Sequence, residues 1–210
     1  MFTTSGNAET LPQRINGALR AVPTWVIYPL GLLPVIWLFW QGAAGHLGAD
    51  PVKAVERELG LLGLQLIVAG LCISPLRWVT GINLIRYRRA VGLVAFFYVA
   101  LHLTVWVVLD LQLRWGEIWG DISKRPYIIA GFVGFVALVP LAVTSNNLSI
   151  RKLGPKTWQA LHKLTYLAAV AGAVHFLWLV KAWPVEPILY LGAVLVLLGW
   201  RGARALRGAA

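Results

Sequence analysis

Residues 90–109 read AVGLVAFFYVALHLTVWVVL, twenty residues without a formal charge, bounded by Arg89 and Asp110. A helix of about 20 residues is long enough to cross the roughly 30 Å hydrocarbon layer of a bilayer. A strand of a membrane barrel would alternate apolar and polar residues, and this stretch is apolar almost throughout. It therefore predicts a transmembrane helix, and that helix carries a histidine, His102.

Five further charge-free windows accompany this one, at 21–49, 59–76, 126–150, 164–180 and 187–200. The window at 164–180 reaches spanning length when residues 158–161 are added, and the last one does so if Glu186 lies at headgroup level. The first is too long for the apolar region of a signal peptide, so we expect an uncleaved span. We predict an all-α integral membrane bundle of six transmembrane helices, forming a single domain over 1–210.

The composition supports this class. Apolar residues make up 59% of the 210 residues and charged residues 13%, and the mean hydropathy is +0.71. Soluble domains carry about 25% charged residues. A soluble globular protein, a disordered chain and a soluble enzyme with one membrane anchor are all excluded. The lone Cys72 excludes an internal disulfide and a CxxCH haem attachment.

The net charge of +11 is distributed unevenly between the two sides of the predicted bundle. One side has thirteen basic residues and a single acidic one, whereas the other has six basic and seven acidic residues. The positive-inside rule places the basic side in the cytoplasm. Both termini are then cytoplasmic: a polar N-terminal segment (1–24) and a basic C-terminal tail (201–210). The expected partner of this charge is membrane lipid, not nucleic acid.

Two histidines lie deep in the predicted spans. His102 follows Arg89 by 13 residues and His175 follows Lys163 by 12, so each lies roughly 18–20 Å from the cytoplasmic edge. Two imidazoles at one depth on two helices suit the axial ligands of a haem iron, whereas a closed zinc site needs four ligands. Two unrelated histidines packed in the core are the alternative. His46, in the first outer loop, is expected to be an exposed loop residue.

His162 precedes His175 by 13 residues, which places the two about 140° apart on a straight helix. They share a face only if a π-bulge or a kink intervenes. On the third span, Arg89 occupies the position at which a partner histidine for His162 would be needed. A second haem bound by His162 would therefore lack a second histidine ligand. His162, Arg88 and Arg89 instead predict a cationic cluster at the cytoplasmic edge. It would contact either a flavin or quinone cofactor or the lipid phosphates.

Several stretches together resemble a known family. They are Arg88-Arg89-Ala90-Val91-Gly92-Leu93, Tyr98, His102, Lys124-Arg125-Pro126-Tyr127-Ile128, Leu141-Ala142-Val143-Thr144-Ser145, Leu153-Gly154, Trp158, Leu161-His162, Tyr166 and His175-Phe176. Over about residues 56–181 the chain resembles the MsrQ (YedZ) family, the haem-binding membrane subunits of the bacterial periplasmic methionine sulfoxide reductase system. These belong with the ferric-reductase-like transmembrane domains. The order and spacing of the three histidines carry the resemblance.

The resemblance implies a b-type haem and FMN in a multi-pass protein of the bacterial inner membrane. It implies electrons taken from the quinone pool or from a cytosolic flavin reductase. It implies delivery to a periplasmic molybdenum enzyme, the catalytic subunit that reduces methionine sulfoxide in oxidised proteins. The chain itself would then be an electron-transfer subunit of an oxidoreductase system, without substrate chemistry of its own.

The outer loops are expected to form the docking surface for that partner, because they carry seven of the eight acidic residues among basic ones. The candidate contacts are Asp121, Lys124, Arg125 and Tyr127, together with the 46–58 loop. The alternative is that these charges only cap the helices.

Two other functions are compatible with the residues. The first is a transporter whose histidines relay protons or a metal, in which interrupted helices would recur in two related halves. The second is a cytochrome b subunit of another quinol-linked oxidoreductase. The electron donor, the number of haems beyond one and the oligomeric state are left open at this point.

Overall fold

The structure, a computed structural model, describes residues 10–180 and 184–207. Within these residues the chain forms α1 (Leu11–Ala21), α2 (Ile27–Ala43), α3 (Pro51–Thr80), α4 (Arg88–Thr104), α5 (Trp115–Lys124), α6 (Pro126–Val143), α7 (Asn147–Leu153), α8 (Pro155–Leu161), α9 (Leu164–Leu179) and α10 (Val185–Arg207). Short 3-10 turns at Thr24–Val26 and Ile85–Tyr87 lead into α2 and α4, and α4 continues as a π-helix over Val105–Asp110.

Six helical segments of the described chain are long and apolar enough to cross a membrane. They are Thr24–Ala43, Pro51–Thr80, Ile85–Asp110, Pro126–Val143, Pro155–Leu179 and Val185–Arg207. No more than 33% of the apolar window of any of them is buried within the protein. Apolar side chains that the protein leaves uncovered require lipid around the bundle. The prediction of an all-α bundle of six spans is confirmed.

Two helix pairs form the centre of the bundle. α3 packs along α4, and α6 packs along α9, while α10 covers α9 and α3, and α2 lies against α3 and α4. Small side chains make the second pair close, since Ala169 and Ala173 on α9 are fully buried. Leu59 and Leu71 of α3 are also fully buried. In lipid, van der Waals contacts between closely packed helices hold them together. The hydrophobic effect does not, because the acyl chains are as apolar as the side chains.

The bundle has two chemically different ends. The "basic end" comprises α1, the connection 81–87, α7, α8 and the last turns of α10; the "acidic end" comprises the connection 44–50, the first turns of α3, Asp110 and α5. Asn16 of α1 contacts Gly81, and Arg204 of α10 contacts Trp78, so both ends of the described chain lie at the basic end. Its cytoplasmic location remains a prediction.

The second and sixth spans extend furthest beyond the predicted windows. The second begins at Pro51 instead of residue 59, because Asp50 caps the helix and the charges of its first turns are paired: Lys53 with Glu56 and with Asp110. The sixth runs through Arg201 to Arg207 instead of ending at residue 200. The described part of the expected tail (201–207) is therefore helix, whereas 208–210 lie outside the described residues.

The N-terminal segment and two connections that were expected to be loops contain helices. α1 lies in the N-terminal segment 1–24, of which residues 1–9 are outside the described residues. α5 lies in the second outer connection, between the third and fourth spans, and α7 with α8 occupies most of the 151–163 loop. Short local signals start these helices. Thr10 and Gln13 form a capping box at α1, Asn146 caps α7, and proline occupies the first turn of α8.

α1 is anchored to the connection that leads into α4. The Asn16 amide donates to the Gly81 carbonyl (2.9 Å) and accepts from the Asn83 N–H (2.8 Å). The Tyr87 hydroxyl lies 2.7 Å from the Leu19 carbonyl, near the end of α1. The segment that precedes Arg88 and Arg89 is thus held in place by the N-terminal helix.

Candidate haem site

His102 on α4 and His175 on α9 face each other near the acidic end. Their ring centroids are 6.2 Å apart, and the ring planes are inclined by 74°. Each ring is half-buried, and each belongs to a different one of the two central helix pairs. The expected meeting of these two residues at one depth is therefore present in the structure.

Each ring is held by a backbone carbonyl of the neighbouring helix. Nδ1 of His102 lies 2.8 Å from the Glu56 carbonyl on α3, and Nδ1 of His175 lies 2.7 Å from the Tyr127 carbonyl on α6. Because a carbonyl oxygen can only accept, Nδ1 carries the hydrogen in both rings. The Nε2 lone pair of each ring is left free, and among the described residues neither Nε2 has a hydrogen-bond partner.

This arrangement fits a haem iron. Imidazole bonds of about 2 Å on opposite sides of one metal ion place ring centroids about 6 Å apart, close to the observed spacing. A haem supplies four nitrogens of its own and needs only two axial ligands. Among the described residues, no group of three histidine, cysteine or carboxylate residues could hold a bare metal ion. The single Cys72 provides no CxxCH sequence for covalent attachment of a haem.

An ion cluster that the sequence did not indicate adjoins His102. The Lys53 ammonium lies 3.5 Å from the Glu56 carboxylate and pairs with Asp110 at the end of the π-helix. The Glu56 carbonyl is the one that holds His102, so this cluster braces the ligand-bearing part of α4 against α3. Glu56 is 46 residues away from His102 in sequence, and no local pattern links them.

His162 lies at the basic end, in the turn between α8 and α9. Its ring stacks on Trp158 with centroids 3.7 Å apart, and its Nε2 lies 3.0 Å from the Thr144 hydroxyl. That hydroxyl donates its hydrogen to the Pro140 carbonyl (2.6 Å), so it accepts from His162, and Nε2 carries a hydrogen. The helical path from Pro155 to Leu179 is interrupted at His162 and Lys163, between α8 and α9.

The two arginines lie within electrostatic range of His162. Arg89 donates to the Asn147 side chain at 2.9 Å and retains further donors in its guanidinium. Arg88 begins α4 on the adjacent position. Asn147, Thr144 and Trp158 were not expected at this cluster, although Thr144 and Trp158 lie in stretches that the resemblance covers.

The predicted docking residues lie beside His175. The backbone carbonyl of Tyr127 accepts the hydrogen bond from Nδ1 of His175. The Tyr127 ring centroid lies 6.1 Å from the centroid of the His175 ring. Its hydroxyl lies 3.4 Å from the Arg125 guanidinium, which pairs with Asp121 at 3.2 Å. Lys124, on the same turn of α5, is exposed. A short chain of contacts therefore joins the histidine pair to the surface of the acidic end.

Comparison with known proteins places the chain in a family. Residues 58–173 match the family described as ferric reductase like transmembrane component. Three relatives, from Brucella ovis, Brucella canis and Brucella suis, are each named protein-methionine-sulfoxide reductase heme-binding subunit MsrQ. Each is 51% identical to this chain over 180 residues, covering 86% of the chain and 81% of the relative. The matched region includes His102 and His162 and ends two residues before His175.

Proposed function

Because the chain belongs to the ferric-reductase-like transmembrane components, and among them to the MsrQ haem-binding subunits, we propose that it moves electrons across the bacterial inner membrane through one b-type haem held by His102 and His175. A membrane haem electron-transfer role follows from the family. The two ligands, the donor and the acceptor are the proposed part.

One observation carries the assignment of the ligands. Both rings donate from Nδ1 to a backbone carbonyl, which leaves Nε2 free, and their centroids lie 6.2 Å apart. Such hydrogen bonds fix the tautomer, orient the ring and raise the basicity of the ligating nitrogen. When bound, the haem supplies a one-electron redox centre. His102 and His175 would hold such a haem through their free Nε2 atoms, and two protein ligands on one iron would suit electron transfer and not oxygen binding.

At the basic end, Arg88, Arg89 and His162 provide the contact site for the electron donor. The donor is a quinone of the membrane pool or the FMN of a cytosolic flavin reductase, as the family resemblance implies. Guanidinium groups bind flavin phosphate or a reduced quinone oxygen. His162 supports this role better than a second haem ligand, because its Nε2–H is bound to Thr144 and its ring face is covered by Trp158. Its Nδ1 is left as an acceptor for a quinol hydroxyl or a flavin N–H.

At the acidic end, electrons leave beside Tyr127, Arg125 and Asp121. The names of the relatives refer to a methionine sulfoxide reductase, and we propose its periplasmic catalytic subunit as the acceptor for this chain. The histidine pair supports that direction because it lies close to the acidic end, whereas His162 lies about 20 Å away along the same span. The relatives' names also favour a cytochrome over a histidine-based transporter.

Substitution of the ligands tests the proposal. We expect His102→Ala and His175→Ala each to abolish the low-spin haem spectrum of the reduced, purified protein, because either change removes one of two axial bonds. His46→Ala, on an exposed histidine of the 44–50 connection, is the matched control and should leave the spectrum unchanged. A low-spin haem retained in full by either ligand variant would reject the assignment.

A further inference from the structure

We infer that Gly60 and Gly131 are positioning residues for the two histidines. Because glycine has no side chain, each leaves room on its helix for an imidazole to reach a backbone carbonyl. The inference rests on the proposed haem site. The two glycines open the segments Gly60-Leu-Leu-Gly63 and Gly131-Phe-Val-Gly134, which lie on α3 and α6. As Gly-x-x-Gly stretches in apolar helices, they would ordinarily indicate only close helix packing.

The first glycine of each segment lies directly against a histidine ring. A Cβ at Gly60 would lie 3.1 Å from Nδ1 of His102, and a Cβ at Gly131 would lie 2.9 Å from Nδ1 of His175. Both distances are shorter than ordinary van der Waals contact. Any side chain at these positions would therefore push the ring away from the helix that holds it.

Each glycine stands four residues after the carbonyl that the ring uses. Glu56 precedes Gly60 and Tyr127 precedes Gly131 by this interval. In an α-helix the carbonyl of residue i faces the N–H of residue i+4, so the side chain of residue i+4 lies next to that carbonyl. Glycine at i+4 is what lets a ring from outside the helix share the carbonyl.

The second glycine of each segment lies against the histidine-bearing helix at a matching place in both helix pairs. A Cβ at Gly63 would lie 2.9 Å from the Val99 side chain, three residues before His102. A Cβ at Gly134 would lie 3.5 Å from Ala171, four residues before His175. In both helix pairs the first glycine therefore faces the histidine ring and the second faces the histidine-bearing helix. Two independent copies of the geometry support a common role of the first glycines in holding the ligands.

The positioning role of Gly60 and Gly131 predicts changes in haem affinity and in midpoint potential. A hydrogen bond from Nδ1–H raises the basicity of the ligand and so stabilises ferric iron. A methyl group at Gly60 or Gly131 would lengthen that bond. We expect Gly60→Ala and Gly131→Ala to weaken haem binding by about 10- to 100-fold, as is typical when partners of metal-ligating histidines are lost. The midpoint potential of the remaining haem should rise.

Two glycines on the same helices provide matched controls. A Cβ at Gly70 of α3 would have its nearest neighbour at 3.9 Å, and one at Gly134 of α6 at 3.5 Å, both ordinary contacts. Gly70→Ala and Gly134→Ala should match the unsubstituted protein in haem affinity and potential, measured by haem titration and redox titration of the purified full-length chain. If Gly60→Ala and Gly131→Ala match these controls in both measurements, the inference is wrong.

If the Gly60→Ala protein does not accumulate, the same substitution is tested in the His102→Ala protein, which lacks the imidazole ring. In His102→Ala protein a methyl group at residue 60 meets no imidazole, so His102→Ala with Gly60→Ala should be recovered in the same yield as His102→Ala alone. A lower yield of the double variant would overturn the inference, because the damage would not come from the ring.

The His102→Ala and His175→Ala spectra separate the two proposals. Loss of low-spin haem in both, with unchanged glycine variants, rejects the positioning role and leaves the proposed function intact. Retention of low-spin haem in both rejects the haem site itself, and the positioning role with it.

Discussion

At the scale of single residues, hydrogen-bond direction distinguishes the three membrane histidines. His102 and His175 carry their hydrogen on Nδ1 and present a free Nε2, whereas the Thr144 hydroxyl places the hydrogen of His162 on Nε2. The three histidines thus differ in which ring nitrogen carries the hydrogen and which is free to accept. The first two are suited to metal coordination, and the third is suited to hydrogen bonding with a cofactor.

The role of Arg89 can be tested at the same scale. We expect Arg89→Gln to slow the reduction of the haem by a quinol or by a reduced flavin at least about tenfold, because a charged hydrogen bond contributes about 1.5–3 kcal/mol. Haem content should not change, since Arg89 lies at the other end of the bundle from the histidine pair. Stopped-flow absorbance of the haem measures the rate.

Arg77→Gln provides the control for Arg89, because Arg77 is an exposed arginine in the last turn of α3. Equal reduction rates in the two variants would return Arg89 to a role in contacting lipid phosphate.

At the scale of elements, a proline in α3 explains a charged residue in α10. Pro75 has no N–H, so the carbonyl of Leu71, four residues earlier, lacks its helical partner. The Arg201 guanidinium donates to that carbonyl and also lies 5.8 Å from the Tyr166 ring centroid. The sixth span can therefore continue past residue 200 with an arginine on its inner side.

This pairing predicts non-additive stability. Arg201→Met should lower the free energy of unfolding by about 1–3 kcal/mol, the cost of an unsatisfied buried polar group. In a Pro75→Ala background the cost should be smaller, because that substitution provides a backbone N–H for the Leu71 carbonyl. Thermal unfolding in detergent measures both effects.

Arg207→Met, at the exposed end of α10, is the control and should have little effect. An equal cost of Arg201→Met in both backgrounds would show that the Leu71 carbonyl is not its partner.

At the scale of the whole molecule, the two ends of the bundle carry different chemistry. The basic end contains the predicted donor site, and the acidic end contains the histidine pair and the docking candidates. Arg125 lies two contacts away from His175, through Tyr127, and Asp121 lies one contact further, through Arg125. An approaching partner would therefore meet mixed charges next to the haem, which suits a brief electron-transfer encounter.

Charge reversal tests this surface. Asp121→Lys and Arg125→Glu should each change the rate of haem reoxidation by the added reductase subunit by about tenfold at low salt, since charge steers such encounters. The difference should disappear at high salt because exposed charges are screened. Arg151→Glu, exposed at the basic end, is the control. Rates that respond neither to the reversals nor to salt would exclude this surface as the docking site.

The sequence by itself determined the membrane bundle, the six spans, the two charged ends and the positions of the three histidines along the spans. These properties follow from the length and polarity of contiguous stretches, so a local pattern contains them. The sequence did not predict the helices in the connections, α5, α7 and α8. It also did not predict where the second and sixth spans begin and end. At the ends of the second and sixth spans, Lys53 and Arg201 find their partners on other elements, at Asp110 and at the Leu71 carbonyl.

Only the tertiary structure decided how the histidines are held. The carbonyls of Glu56 and Tyr127 are 46 and 48 residues away from the rings that they bind. Every residue has a carbonyl, so sequence cannot identify which one is shared; the choice depends on which helices pack and how closely. Gly60 and Gly131 allow that approach, and their role becomes visible only when the rings lie against them.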